Sequence, residues 1–109
     1  MSDDRATGSD GLEPDQEELL AALRAAGFAG RTVLEIGCGD GDLHHQLLDE
    51  GATAVTAIEF SAERLETAMA TAQARGHTER VRYLEGDFVR LAGDIEPADV
   101  TVLDKVVHC

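Results

Sequence analysis

Four acids, Glu35, Glu59, Asp87 and Asp104, each fall at or just past the end of an apolar, β-branched run. In an open parallel sheet those ends border the ligand crevice. Between the first two lies a glycine triplet at alternate positions, Gly37-Cys38-Gly39-Asp40-Gly41. Glycine permits positive φ and lets a ligand approach the main chain, and the helix that follows aims its amides at the same spot. Glu59 stands 20 residues beyond Gly39, and a carboxylate there matches the two hydroxyls of a ribose with two acceptors. Asp87 can accept from an adenine amino group while the next amide donates to a ring nitrogen and Phe88 covers the base. His108 is the one histidine at the last strand end, where a group of ordinary pKa near 6.5 suits a general base.

The triplet also excludes. A dinucleotide turn wants its third glycine where Asp42 stands, and an aspartate at a helix N-terminus repels a pyrophosphate. This disfavours a nucleotide-dependent oxidoreductase. Glu35 sits in a run that reads as buried, where an unpartnered carboxylate is costly, so a cation or backbone donors must meet it.

Strand, acid, triplet and helix in this order resemble the first motif of the class I S-adenosylmethionine-dependent methyltransferases. Glu35-Ile36-Gly37-Cys38-Gly39-Asp40-Gly41 fits acid-x-Gly-x-Gly-x-Gly without a mismatch. Gly86-Asp87-Phe88 resembles the family's adenine loop, and 104–108 its fourth motif. The resemblance implies S-adenosyl-L-methionine as cofactor. It places Glu59 on the ribose with Phe60 beside it, Asp87 and Phe88 on the adenine, and Glu35, Gly37, Cys38, Gly39 and Gly41 around the methionine end. It sets Asp104 at the border of methyl donor and acceptor, where His108 and Asp104 form the catalytic pair. The methionine ammonium is one cation that would meet Glu35. The reaction implied is methyl transfer to a small-molecule acceptor. The alternatives are a non-catalytic nucleoside-binding or interaction module, or one half of a split enzyme.

The elements that must hold these residues follow from periodicity and capping. Leu19, Leu20, Leu23 and Ala26 make one stripe of a helix over 13–26 after an acidic first turn, with Gly27 as its stop. The first strand runs into the triplet from Val33. Leu43, Leu47 and Leu48 mark a short second helix, and its adjacent His44 and His45, pointing in two directions, read as surface residues rather than metal ligands. A second strand covers 54–60, and Ser61 caps a third helix with Leu65, Ala68, Met69 and Ala72 on its apolar stripe. Strands at 80–84 and 98–103 flank a segment with room for a turn or two of helix. Alternating strands and helices predict an α/β fold with a parallel sheet and right-handed crossovers, and the resemblance to the methyltransferases implies that this sheet is Rossmann-like, three-layer in type, ordered 3-2-1-4 and stopping after strand four. Strand four is then an exposed apolar edge, which a second copy or a missing C-terminal half would complete. Residues 1–12 read as a disordered acidic tail and 13–109 as the cofactor-binding part of the domain.

Bulk properties narrow the partners. The 109 residues carry 22 acids against 9 bases, a net charge of −13, and the only lysine is Lys105. That balance disfavours a nucleic-acid backbone or an anionic membrane. Two cysteines, Cys38 and Cys109, make no disulfide framework, and no apolar run suggests a membrane span or signal core, which points to a cytoplasmic protein. A metal site from Asp104, His108 and Cys109 would mix ligand types and is disfavoured.

Overall fold

The computed structural model describes residues 14–103 and, for the backbone alone, 106–108. The expected tail at 1–12, and with it Asp104, Lys105 and Cys109, lies outside the described residues. The order is α1 (Pro14–Ala26), β1 (Thr32–Ile36), α2 (Asp42–Asp49), β2 (Ala54–Glu59), α3 (Ala62–Arg75), β3 (Val81–Glu85), α4 (Phe88–Leu91), β4 (Val100–Leu103) and β5 (Val106–His108), with short 3-10 turns at Thr78–Arg80 and Ala92–Asp94.

The sheet runs β3-β2-β1-β4-β5. β1 is parallel to β2 and β4, and β2 to β3, which is the 3-2-1-4 order expected. One expectation is corrected. β4 is not an open edge, because β5 pairs antiparallel along it, with Leu103 opposite Val106 and Thr101 opposite His108. Three residues are too few to display an alternating period, so nothing local signals that this segment pairs.

One face of the sheet carries the core. Val33, Val55, Ala57, Val100 and Val102 pack with Leu19, Leu20 and Leu23 of α1, Leu43, Leu47 and Leu48 of α2, and Leu65 of α3. The caps follow local chemistry. Gly27, at φ +85°, returns its amide to the Leu23 carbonyl at 2.9 Å. The Ser61 hydroxyl accepts from the Arg64 amide at 3.2 Å. At the far end of α2 the Arg80 guanidinium donates to the carbonyls of Leu48, at 2.9 Å, and of Ala52.

Two side-chain assignments change. Met69 does not join the stripe of α3. It is half exposed, while Leu65, Ala68 and Ala72 are buried. It lines a groove with Val81 and Tyr83, at the sheet's β3 edge. Nor are His44 and His45 surface residues, since they retain 0% and 1% of their accessible surface. Adjacent helical positions do diverge by about 100°, but α2 is enclosed on both sides. His44 points at the sheet and His45 at α3.

Candidate cofactor site

The glycine turn is pinned to the tip of β2. Gly37 and Cys38 donate to the Ile58 carbonyl at 2.8 and 3.0 Å, and the Gly39 amide donates to Glu59 Oε1 at 2.7 Å. Glu59 Oε2 accepts from the Ser61 amide at 3.1 Å, and the Glu59 carbonyl accepts from Gly86 at 2.9 Å. One residue thus joins the turn after β1, the start of α3 and the loop after β3. Each carboxylate oxygen has taken one donor and keeps a further lone pair, so the carboxylate is oriented without being saturated.

All three glycines of the triplet have positive φ, at +79°, +58° and +93°. Gly41 is required twice over, because a Cβ there would stand 2.8 Å from the His44 ring and 3.0 Å from Ala68 Cβ. The turn walls a cleft of about 470 Å³ with Asp15, Gln16, Asp40, Asp42 and Arg64. Its charge is mostly acidic, with three carboxylates against one guanidinium, and this donor set fits a cationic ligand better than a polyphosphate.

Glu35 is buried, as the sequence implied, and its partner is His44. The two lie 2.8 Å apart through His44 Nδ1, and His44 Nε2 lies 2.7 Å from the Tyr83 hydroxyl. The hydroxyl is also 3.2 Å from the Ala68 carbonyl. Burial, then the negative field of Glu35 and Glu59, pushes the Cys38 thiol up to about 12, so it remains a protonated, unreactive wall of the turn. Burial likewise raises Tyr83, which stays a phenol. Behind His44 a second chain runs outward. His45 Nε2 meets the Ala68 carbonyl at 3.1 Å, His45 Nδ1 meets His77 Nδ1 at 3.0 Å, and His77 Nε2 meets Asp49 at 2.8 Å. The two rings thus link the Ala68 carbonyl on α3 to the Asp49 carboxylate at the end of α2.

Asp87 stands at the β3 end and caps α4, its carboxylate accepting from the Val89 amide at 2.9 Å. Phe88 next to it is half-buried, and Phe60, beyond Glu59, is exposed. Glu35, Gly37, Cys38, Gly39, Gly41, Glu59, Phe60, Asp87 and Phe88 therefore gather along the carboxyl ends of β1, β2 and β3. The His108 backbone lies opposite Thr101, two places back from the end of β4. Sequence reasoning missed His44 and Tyr83 as parts of this site. The one available signal was the buried acid, which demanded a cation or donor within reach.

Residues 33–109 match the family model of the methyltransferase domain. The chain belongs to that family. No curated protein matches the sequence significantly. Among solved structures, an S-adenosylmethionine-dependent methyltransferase from Thiobacillus denitrificans, in complex with S-adenosyl-L-homocysteine, is 31% identical with a TM-score of 0.66, over 84% of this chain and 36% of that one. The C-terminal domain of precorrin-6Y C5,15-methyltransferase from Rhodobacter capsulatus aligns at 24% identity and TM-score 0.75, over 84% and 48%. A structure from Pyrococcus horikoshii described as an RNA methyltransferase candidate aligns at 22% and 0.68, over 80% and 41%. The latter two establish likeness of fold. This methyltransferase-family chain spans less than half the length of each of these structures.

Proposed function

We propose that this domain binds S-adenosyl-L-methionine at the glycine turn and serves methyl transfer to a small-molecule acceptor in the cytoplasm. The observation that carries the reading is the bond from the Gly39 amide to Glu59 at 2.7 Å. It holds a carboxylate with spare acceptor capacity at the end of β2, one turn of chain from an acidic cleft. In this reading Glu59 takes the ribose hydroxyls, Asp87 and Phe88 hold the adenine beside Phe60, and Glu35 faces the ammonium of the methionine arm. The bound cofactor supplies a methyl group already activated by its sulfonium. The chain's own residues align it and shield it from water. Asp104 borders the acceptor, and His108 takes its proton.

A net charge of −13 favours an uncharged or cationic acceptor over a nucleic acid. A second copy, or further sequence beyond β5, would supply the rest of the acceptor pocket.

Calorimetry with S-adenosylmethionine, S-adenosylhomocysteine and NAD tests the reading, with binding of the first two and not the third expected. Binding of NAD alone would refute it. Transfer of a labelled methyl group to a small molecule, and not to RNA, is the expected catalytic result. Binding without any transfer would indicate a non-catalytic nucleoside-binding module.

A further inference from the structure

We infer that His44 is a positioning residue that exchanges a proton for the cofactor's cationic arm at Glu35. The inference rests on the cofactor reading above and adds a residue and a proton to it.

Glu35 is the pivot. Glu35 lines a cavity of about 220 Å³ with Gln16, Gly37, Leu43 and Val102, and Gln16 and Gly37 are shared with the cleft of the glycine turn. The residue that lines this cavity is thus the one whose Oε1 meets His44 Nδ1. The geometry accommodates two proton arrangements. With His44 neutral, Nδ1–H donates to Glu35 and Nε2 accepts the Tyr83 hydroxyl at 2.7 Å. With His44 charged, Nε2–H donates to the Tyr83 oxygen, and the hydroxyl turns to donate to the Ala68 carbonyl, already 3.2 Å away. No hydrogen bond is broken in passing from one to the other. A buried imidazole ordinarily resists a second proton because the new N–H has no acceptor, and here the acceptor is built in.

The charged groups around His44 fix the direction of the exchange. β1 contributes the Glu35 carboxylate and the turn contributes Cys38, held as a thiol. β3 contributes Tyr83, and α3 only the Ala68 carbonyl. On α2 itself the ring of His45 lies 4.4 Å from that of His44, and His77 stands behind it. α1 brings the neutral Gln16. Among the described residues Glu35 is thus the anion hydrogen-bonded to His44, and an imidazolium and an ammonium compete for it. An empty cavity favours the charged ring. A ligand ammonium favours the neutral one, and the proton leaves to solvent on binding. Charge balance around the buried acid is kept in both states.

The test is calorimetry on the whole chain in two buffers of different ionisation enthalpy, from about pH 5.5 to about pH 8. S-adenosylhomocysteine should release a fraction of a proton, at most about one, at the acid end and none at the alkaline end. Its affinity should weaken by at most about tenfold per unit of falling pH. 5′-Methylthioadenosine, which lacks the amino-acid arm, should bind without releasing a proton. His44→Gln and Tyr83→Phe should each abolish the release and flatten the pH profile. Tyr83→Phe keeps the ring in place and removes only the hydroxyl that completes the exchange, so it serves where His44→Gln fails to fold. Binding with no release by the unaltered chain, equal release in Tyr83→Phe, or equal release with 5′-methylthioadenosine would overturn the inference and leave the cofactor reading standing. Failure of the unaltered chain to bind either nucleoside would overturn both.

Discussion

Adding one methyl group at two glycines of the same turn separates backbone strain from packing. Gly37 and Gly41 both have positive φ, at +79° and +93°. A Cβ at Gly37 meets nothing within 4 Å, whereas at Gly41 it stands 2.8 Å from His44 Cε1 and 3.0 Å from Ala68 Cβ. Gly37→Ala should therefore lose only the conformational term, about 1–2 kcal/mol for a non-glycine residue in the left-handed region. Gly41→Ala adds an overpacking term of about 1–3 kcal/mol. Neither neighbour yields cheaply, because His44 is bonded through both ring nitrogens and Ala68 Cβ is fixed to the α3 backbone. The expected gap between the variants is about 2 kcal/mol, or on the order of 10 °C in melting temperature for a domain of this size. Urea and thermal unfolding of both variants measure it. Equal losses would mean that the close approach of His44 to Gly41 contributes nothing, and the account of a packed turn would fall.

Other perturbations test other links. Glu59→Ala removes the acceptor of two backbone amides and the ribose contact, and should abolish nucleoside binding by calorimetry while leaving a folded chain. Arg80→Ala leaves the Leu48 and Ala52 carbonyls without their guanidinium and should lower the free energy of unfolding by about 1.5–3 kcal/mol, the range for hydrogen bonds to a charged group. Burial first, and then the neighbouring His44, pushes His45 down to about 4 in the folded chain, from an ordinary 6.5. The unfolded chain therefore binds a proton in that window that the folded chain refuses. Stability is retained above about pH 6.5 and falls as pH drops toward 4, by up to about 3 kcal/mol from this group. Denaturant titrations across the window, repeated on His45→Leu, should show a shallower slope in the variant.

What was legible in the sequence were features whose causes are local. The glycine triplet, the Ser61 cap, the Gly27 stop and the apolar runs of β1, β2 and β4 each owe their form to residues within a few places of one another. The parallel sheet followed from their alternation with helices, and the strand order from the resemblance of the glycine turn to the methyltransferases' first motif. The histidines were not legible, because their burial depends on what surrounds α2. A polar residue on a short amphipathic helix reads as facing water unless a partner on another strand is already known. Glu35 posed the question correctly, as a buried acid in want of a donor, but its answer lies on the next helix, turned through by Gly41. Met69 fits the stripe of α3 by spacing, but β3 is the edge of the sheet, and the groove that Met69 lines with Val81 and Tyr83 leaves it half exposed. The pairing of β5 with β4 depends on a reversal that a three-residue run does not signal.

The polar seam through α2 limits how the helix can change. Leucines alone would let it turn about its axis or slide along the sheet at small expense, since one aliphatic contact substitutes well for another. Rings tied at defined nitrogens to β1, β3 and α3 permit a single angular setting. A segment transplanted from a relative with an oily α2 would strand the acid on β1, so the two positions should be exchanged only as a pair.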